Sequence, residues 1–166
     1  MKKDTLIVYF SRSGYTRRIA EQIARAADAD CEAIRERSSR KGLLGYWRSA
    51  REALRGTAAL IEPDSLQPRD YALIVLGTPV WAGNLSSPMR AFIARHRNEF
   101  TRIALFCTQG GSGAPKVLQT MTDLCDQLPL ASACFSDAEI DSGQHAGKLA
   151  TFVSALATAK AKTKTK

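Results

Sequence analysis

Histidine is scarce and the cysteines are scattered in this chain, so no zinc-like spacing and no close cysteine pair is present. His96 and His145 stand far apart, and the four cysteines (Cys31, Cys107, Cys125, Cys134) form no Cys-x-x-Cys pair. Zinc sites and dithiol redox motifs both need such close spacing. Each cysteine lies in an apolar run where a small hydrophobe serves as well, so all four read as structural. Cys107 is set apart by its place at a strand end. A bilayer-spanning run is also lacking, since no segment approaches the roughly 18–20 consecutive apolar residues required. Met1-Lys2-Lys3-Asp4 leads straight into a short apolar strand, Thr5–Phe10, without the longer apolar region and cleavage site of an export signal. A cytoplasmic location is the expectation.

Acidic residues are outnumbered: 24 Lys and Arg against 16 Asp and Glu give a formal net charge of +8. Four of those charges (Lys160, Lys162, Lys164, Lys166) sit at the very end, and removing them from +8 leaves +4 for the rest. This tail alternates Lys with Ala and Thr, offers no apolar face, and is expected to fray over 160–166. A short basic tail gives only salt-sensitive, sequence-independent attraction to nucleic acid, which is not the expected partner. The 166 residues are expected to form one domain over 1–159, long enough for a single core.

Within it, apolar strands alternate with amphipathic helices. Strands are expected at Thr5–Phe10, Cys31–Arg35, Tyr71–Gly77, Ile103–Thr108 and Leu130–Phe135. Ala72 to Leu76 is apolar at every position, as a strand covered on both faces must be. Helical stripes follow: Ile19, Ile23 and Ala27; Met89, Phe92 and Ile93; Val117, Met121, Leu124 and Leu128; Leu149, Phe152, Val153 and Leu156. This pattern predicts an α/β fold, a five-stranded parallel sheet doubly wound into three layers. Ligands in such folds bind beyond the carboxyl ends of the strands.

Three turns lie there. Ser11-Arg12-Ser13-Gly14-Tyr15-Thr16 opens a helix with three hydroxyls around a glycine. Backbone N–H groups at a helix start suit a phosphate, though Ser11 or Ser13 capping the helix without a ligand is an equally available reading. Neither the Gly-x-x-x-x-Gly-Lys-Ser/Thr loop nor Gly-x-Gly-x-x-Gly is present. A cysteine nucleophile and the acidic cluster of a phospho-receiver are missing after the first strand as well. Thr78-Pro79-Val80-Trp81-Ala82-Gly83-Asn84 puts an indole on a loop, where it stacks on a flat ligand or folds over the sheet edge. Thr108-Gln109-Gly110-Gly111-Ser112-Gly113 exposes backbone groups to a heterocycle's polar edge, or is a plain loop capped by Ser112. Together the three turns suit a phosphorylated, planar, polar-edged cofactor.

These residues resemble the flavodoxin family. Its phosphate-loop pattern, T/S-x-T/S-G-x-T, is matched at Ser11, Ser13, Gly14 and Thr16, and the similarity runs from about Thr5 to Phe152. The resemblance implies strand order 2-1-3-4-5 and FMN as cofactor. Ser11, Arg12, Ser13, Gly14, Tyr15 and Thr16 would hold its phosphate. Thr78, Pro79, Val80, Trp81, Ala82 and Gly83 would form the second flavin loop, with Trp81 against one ring face. Thr108, Gln109, Gly110 and Gly111 would form the third, at the pyrimidine edge.

Some features depart from the family's electron carriers. The third loop has no tyrosine for the other ring face, the chain is basic, and Ala82 follows the second-loop aromatic where glycine is frequent. These departures favour two-electron chemistry with a quinone-like acceptor and NAD(P)H as a donor; the alternative is an electron carrier that docks on a redox partner protein. A flavodoxin-like module that has lost its cofactor is a third reading. Arg35–Arg55, rich in arginine, reads as a solvated helix or as a basic rim for an anionic partner. No catalytic acid, base or nucleophile stands out. His96 reads as solvated and His145 as a surface residue, while Asp137 either approaches the site or caps a helix.

Overall fold

The computed structural model describes residues 3–36, 61–62 and 64–164. Five strands form a parallel sheet: β1 (Thr5–Tyr9), β2 (Asp30–Ala33), β3 (Leu73–Trp81), β5 (Ile103–Gln109) and β6 (Ser132–Ser136). Their order is β2-β1-β3-β5-β6, with a two-residue strand β4 (Asn84–Leu85) folded antiparallel onto the end of β3. Leaving β4 aside, this is the expected order. Helices α1 (Tyr15–Ala27), α2 (Ser87–His96), α3 (Ala114–Cys125), α4 (Asp137–Ser142) and α5 (Ala146–Lys164) accompany them, with short 3-10 turns at Pro68–Asp70 and Arg97–Glu99.

Strand alternation divides the core into two layers. Leu6, Val8, Ile74, Leu76, Ile103 and Leu105 face α2 and α3, where Met89, Phe92, Ile93, Val117 and Met121 are buried. Ile7, Tyr9, Leu73, Val75, Ala104 and Phe106 face α1 and α5, which contribute Ile19, Ile23, Phe152 and Leu156. No helix among the described residues is long and apolar enough to cross a membrane.

The structure corrects several expected boundaries. β3 runs four residues further than expected, so Thr78, Pro79, Val80 and Trp81 belong to a strand rather than a loop. Pro79 is tolerated because neighbouring residues alternate their hydrogen-bonding sides. Gly77 accepts from Phe10 N on the β1 side, so Pro79 turns its missing N–H towards the space where β1 has ended. The stripe expected to reach Leu128 stops at Cys125, because Asp126 takes a left-handed conformation (φ 52) and Leu128 is 85% exposed. α5 continues through Lys164 into the tail expected to fray, consistent with the high helix propensity of Ala and Lys. Cys107 and Cys125 are buried and Cys134 partly so, but Cys31 is exposed on the edge strand β2. The arginine-rich stretch falls mostly on 37–60, outside the described residues.

Candidate functional site

Helix α1 begins without a side-chain cap. Its N-cap is Gly14, left-handed at φ 98, and it makes no side-chain cap hydrogen bond. The capping reading of Ser11 or Ser13 is thereby set aside: Ser11 Oγ instead accepts from Gly14 N at 3.1 Å, outside the helix. The first N–H groups of a helix have no intrahelical partner, and the macrodipole adds positive character there. A Cβ at Gly14 would meet nothing within 4 Å, so the space over it is open. This start fits a phosphate.

Not every hydroxyl around the nest faces outward. Thr16 is buried, and its Oγ1 lies 2.8 Å from Thr108 Oγ1, tying α1 to β5. Two hydroxyls bonded to each other use only one of their two hydrogens, so with Thr16 as donor the Thr108 hydrogen is left for an acceptor in the cleft that Thr108 lines. Tyr15 turns away: its hydroxyl donates to Asp141 at 2.7 Å, and Arg18 pairs with the same carboxylate at 3.0 Å. Both bonds hold the Asp141 carboxyl below its usual range. They brace α4 against the start of α1.

Trp81 ends β3 and is partly buried. Phe10, at the end of β1, meets it edge-on, with ring centroids 5.3 Å apart and planes at 85°. The indole is thus backed by core and still lines the cleft. Beyond it, Ala82 (φ 46) and Gly83 (φ 72) form a two-residue hairpin loop with both central residues left-handed. For alanine this conformation costs about 1–2 kcal/mol. Thr78, expected in the binding set, is fully buried; its hydroxyl donates to Pro79 O and meets Ser86 Oγ at 2.8 Å. Both of its bonding directions serve the protein.

At the third loop the N-cap of α3 is Gly113, φ 112, rather than Ser112. Gln109 Oε1 accepts from Ala114 N at 3.1 Å and so satisfies one of the helix's first donors. Gly110 lies under the Asp137 carboxylate, whose Oδ2 would stand 2.9 Å from a Cβ at that position.

These parts enclose a cleft of about 460 Å³. Arg12 and Ser13 line it from the first loop; Pro79, Val80 and Trp81 from the second; and Thr108, Gln109 and Gly110 from the third. Asp137 completes it. Ser11, Gly14, Tyr15, Thr16, Thr78, Ala82, Gly83 and Gly111, also expected at the site, stand behind or beside this lining. Sequence reasoning missed Phe10 as the brace of the indole and left Asp137 undecided between site and cap. The helix cap after β6 is Ser136, which exchanges bonds with Glu139.

Burial, then the charge of Asp141, raises the Asp137 carboxyl above its ordinary range. A carboxyl raised on folding contributes stability below its unfolded pKa, and that contribution is lost as pH rises through the folded value. Asp137→Asn is therefore expected to melt slightly higher than the parent at neutral pH. The gain should shrink as acid protonates the parent's carboxyl, and it stays small because solvent screens the group. Melting curves across the acid range check it; a gain that grows on acidification contradicts the assignment.

The two histidines lie apart from the cleft and are buried, contrary to expectation. His96 holds Asp64 at 2.7 Å and Glu99 at 3.1 Å through its two ring nitrogens. His145 is bonded to Glu139 O and Gln22 Oε1. Partners remote in the chain draw both rings inward. Among the described residues no group of three His, Cys, Asp or Glu side chains is arranged to hold a metal ion.

A family model described as flavodoxin matches residues 4–137. No curated protein matches the sequence. Among solved structures, a flavoprotein from Lactobacillus acidophilus NCFM in complex with FMN is 26% identical, with a TM-score of 0.68 over 85% of this chain and 98% of that one. A putative flavoprotein from Bacteroides eggerthii is 20% identical, with a TM-score of 0.70 over 91% and 98%. A WrbA-like flavodoxin from Agrobacterium tumefaciens, 17% identical, reaches 0.56 over 92% and 96%.

Proposed function

The chain belongs to the flavodoxin family, and on that premise we propose that it binds FMN and passes electrons to a quinone or similar small acceptor. The observation that carries this reading is the uncapped, glycine-led start of α1, whose preceding residues Arg12 and Ser13 line one cleft together with a braced indole. The backbone of Ser11–Thr16 receives the phosphate, Trp81 takes one face of the ring, and Gln109–Gly111 meet its polar edge. FMN, when bound, supplies the redox chemistry.

What the protein adds is position and access. Thr108–Gly113 contains no aromatic side chain, so this loop adds no second plate for the ring face opposite Trp81, and a small molecule suits that face. That favours direct reaction with a small acceptor, with NAD(P)H as the donor, over docking of a protein partner.

Purified protein is expected to be yellow, with FMN identified by absorbance and mass. Protein that stays colourless after incubation with excess FMN overturns the reading. Turnover of NAD(P)H with a quinone supports the enzymatic part, whereas exchange of single electrons with a protein partner and no quinone turnover replaces it with a carrier. Trp81→Ala is expected to weaken FMN binding by at least about fivefold, since stacking alone adds about 1 kcal/mol beyond buried area. Titration of the flavin-free protein measures it, and an unchanged affinity removes the indole from the site.

A further inference from the structure

We propose that Asn84 and Lys116 are positioning residues for the Trp81 plate, forming a strut between α3 and the tip of the β3–β4 hairpin. The proposal rests on the FMN reading only for what the plate holds. Trp81 and Asn84 face each other across the hairpin as the last pair before its two-residue loop. Asn84 Nδ2 donates to Ala82 O at 3.0 Å, and Asn84 Oδ1 accepts from Lys116 Nζ at 2.9 Å.

The order of these bonds matters. An amide side chain can present its oxygen or its NH2 in either direction, and only the NH2 can satisfy a carbonyl. A lysine ammonium has donors alone, so Lys116 fixes the oxygen outward and the NH2 onto Ala82 O. That carbonyl belongs to the one residue of the hairpin loop that is left-handed without being glycine. The turn is held where its own backbone preference would release it.

The same end of α3 grips the loop by shape. A Cβ at Gly113 would stand 2.7 Å from Gly83 Cα, so the two backbones are in direct contact. One residue on, Ala114 N donates to Gln109 Oε1. A single helix start thus holds both the plate and the polar edge, and fixes the distance between them.

The test uses the full chain in a Trp47→Phe background, which leaves Trp81 as its only indole. Asn84→Asp removes the inner donor while keeping a partner for Lys116. Lys116→Met removes the outer bond, and Lys116→Arg restores it. Without FMN, Trp81 fluorescence is expected to become more accessible to acrylamide in Asn84→Asp and Lys116→Met, and to stay parental in Lys116→Arg. With FMN, the dissociation constant is expected to rise about tenfold in Asn84→Asp and about threefold in Lys116→Met, the range of one charge-assisted bond at a solvated site.

Unchanged quenching and affinity in both variants overturn the strut. An effect of Asn84→Asp with none of Lys116→Met overturns the part given to Lys116. If the parent binds no FMN while quenching still rises in the two variants, the cofactor reading fails and the strut stands. Lys116 is exposed and Asn84 partly so, so the variants are expected to keep the fold, which melting curves check.

Discussion

Gly14→Ala is expected to lower the affinity for FMN about 100-fold, equivalent to about 2.7 kcal/mol. Two effects combine. Gly14 sits at φ 98, a backbone conformation that L side chains rarely adopt, and relaxing it re-aims the N–H groups at the start of α1. The added methyl also enters the open space over the loop, because nothing else stands within 4 Å of it. Losing one or two charge-assisted bonds of about 1.5–3 kcal/mol each accounts for the figure. Riboflavin, which lacks the phosphate, should bind parent and variant with affinities within about threefold, since the plate and polar edge are untouched. The fold itself should lose about 1–2 kcal/mol. Parallel titrations with FMN and riboflavin decide the matter. A variant that loses both ligands equally would place the phosphate elsewhere.

Gly77→Ala is expected to cost about 3 kcal/mol of stability, the upper end for overpacking a core, and roughly 10 °C in melting temperature. Gly77 on β3 lies directly opposite Phe106 on β5. A Cβ there would stand 2.1, 2.4 and 2.8 Å from three atoms of the Phe106 ring. That ring has nowhere to go: Phe135 and Phe152 each meet it edge-on with centroids 6.4 Å away, and all three are buried. Adding Phe106→Leu to the variant should recover part of the loss by making room. A drop of under about 2 °C in Gly77→Ala would mean that the strands part at little cost.

Much of this architecture is legible in the sequence because it follows from period. The all-apolar run at Ala72–Leu76 and the helical stripes at Ile19 and Ile23 or Val117 and Met121 set strands and helices in alternation, and that alternation fixes where the ligand loops fall. The residues lining the cleft are reached by the same route, since Ser13, Trp81 and Gly110 each follow an apolar run that reads as a strand. What stayed hidden depends on contacts across the chain. The continuation of β3 through Pro79 requires knowing that β1 has already stopped beside it. Asp126 ends α3 in a conformation more often taken by glycine or asparagine. His96 is buried by a carboxylate 32 residues away and His145 by an amide 123 residues away, distances that no local pattern carries. Phe10 reads as one more core residue until its ring is seen against the indole.

The length of β3 has a consequence for solubility. A strand that outruns its neighbour leaves unpaired backbone at its end, and such edges recruit strands from other molecules. Here the overhang past β1 spans only Thr78 to Trp81, β4 folds back on its final residues, and Pro79 has no N–H to offer. The segment that shapes the mouth of the cleft is thereby kept from acting as a seed for aggregation.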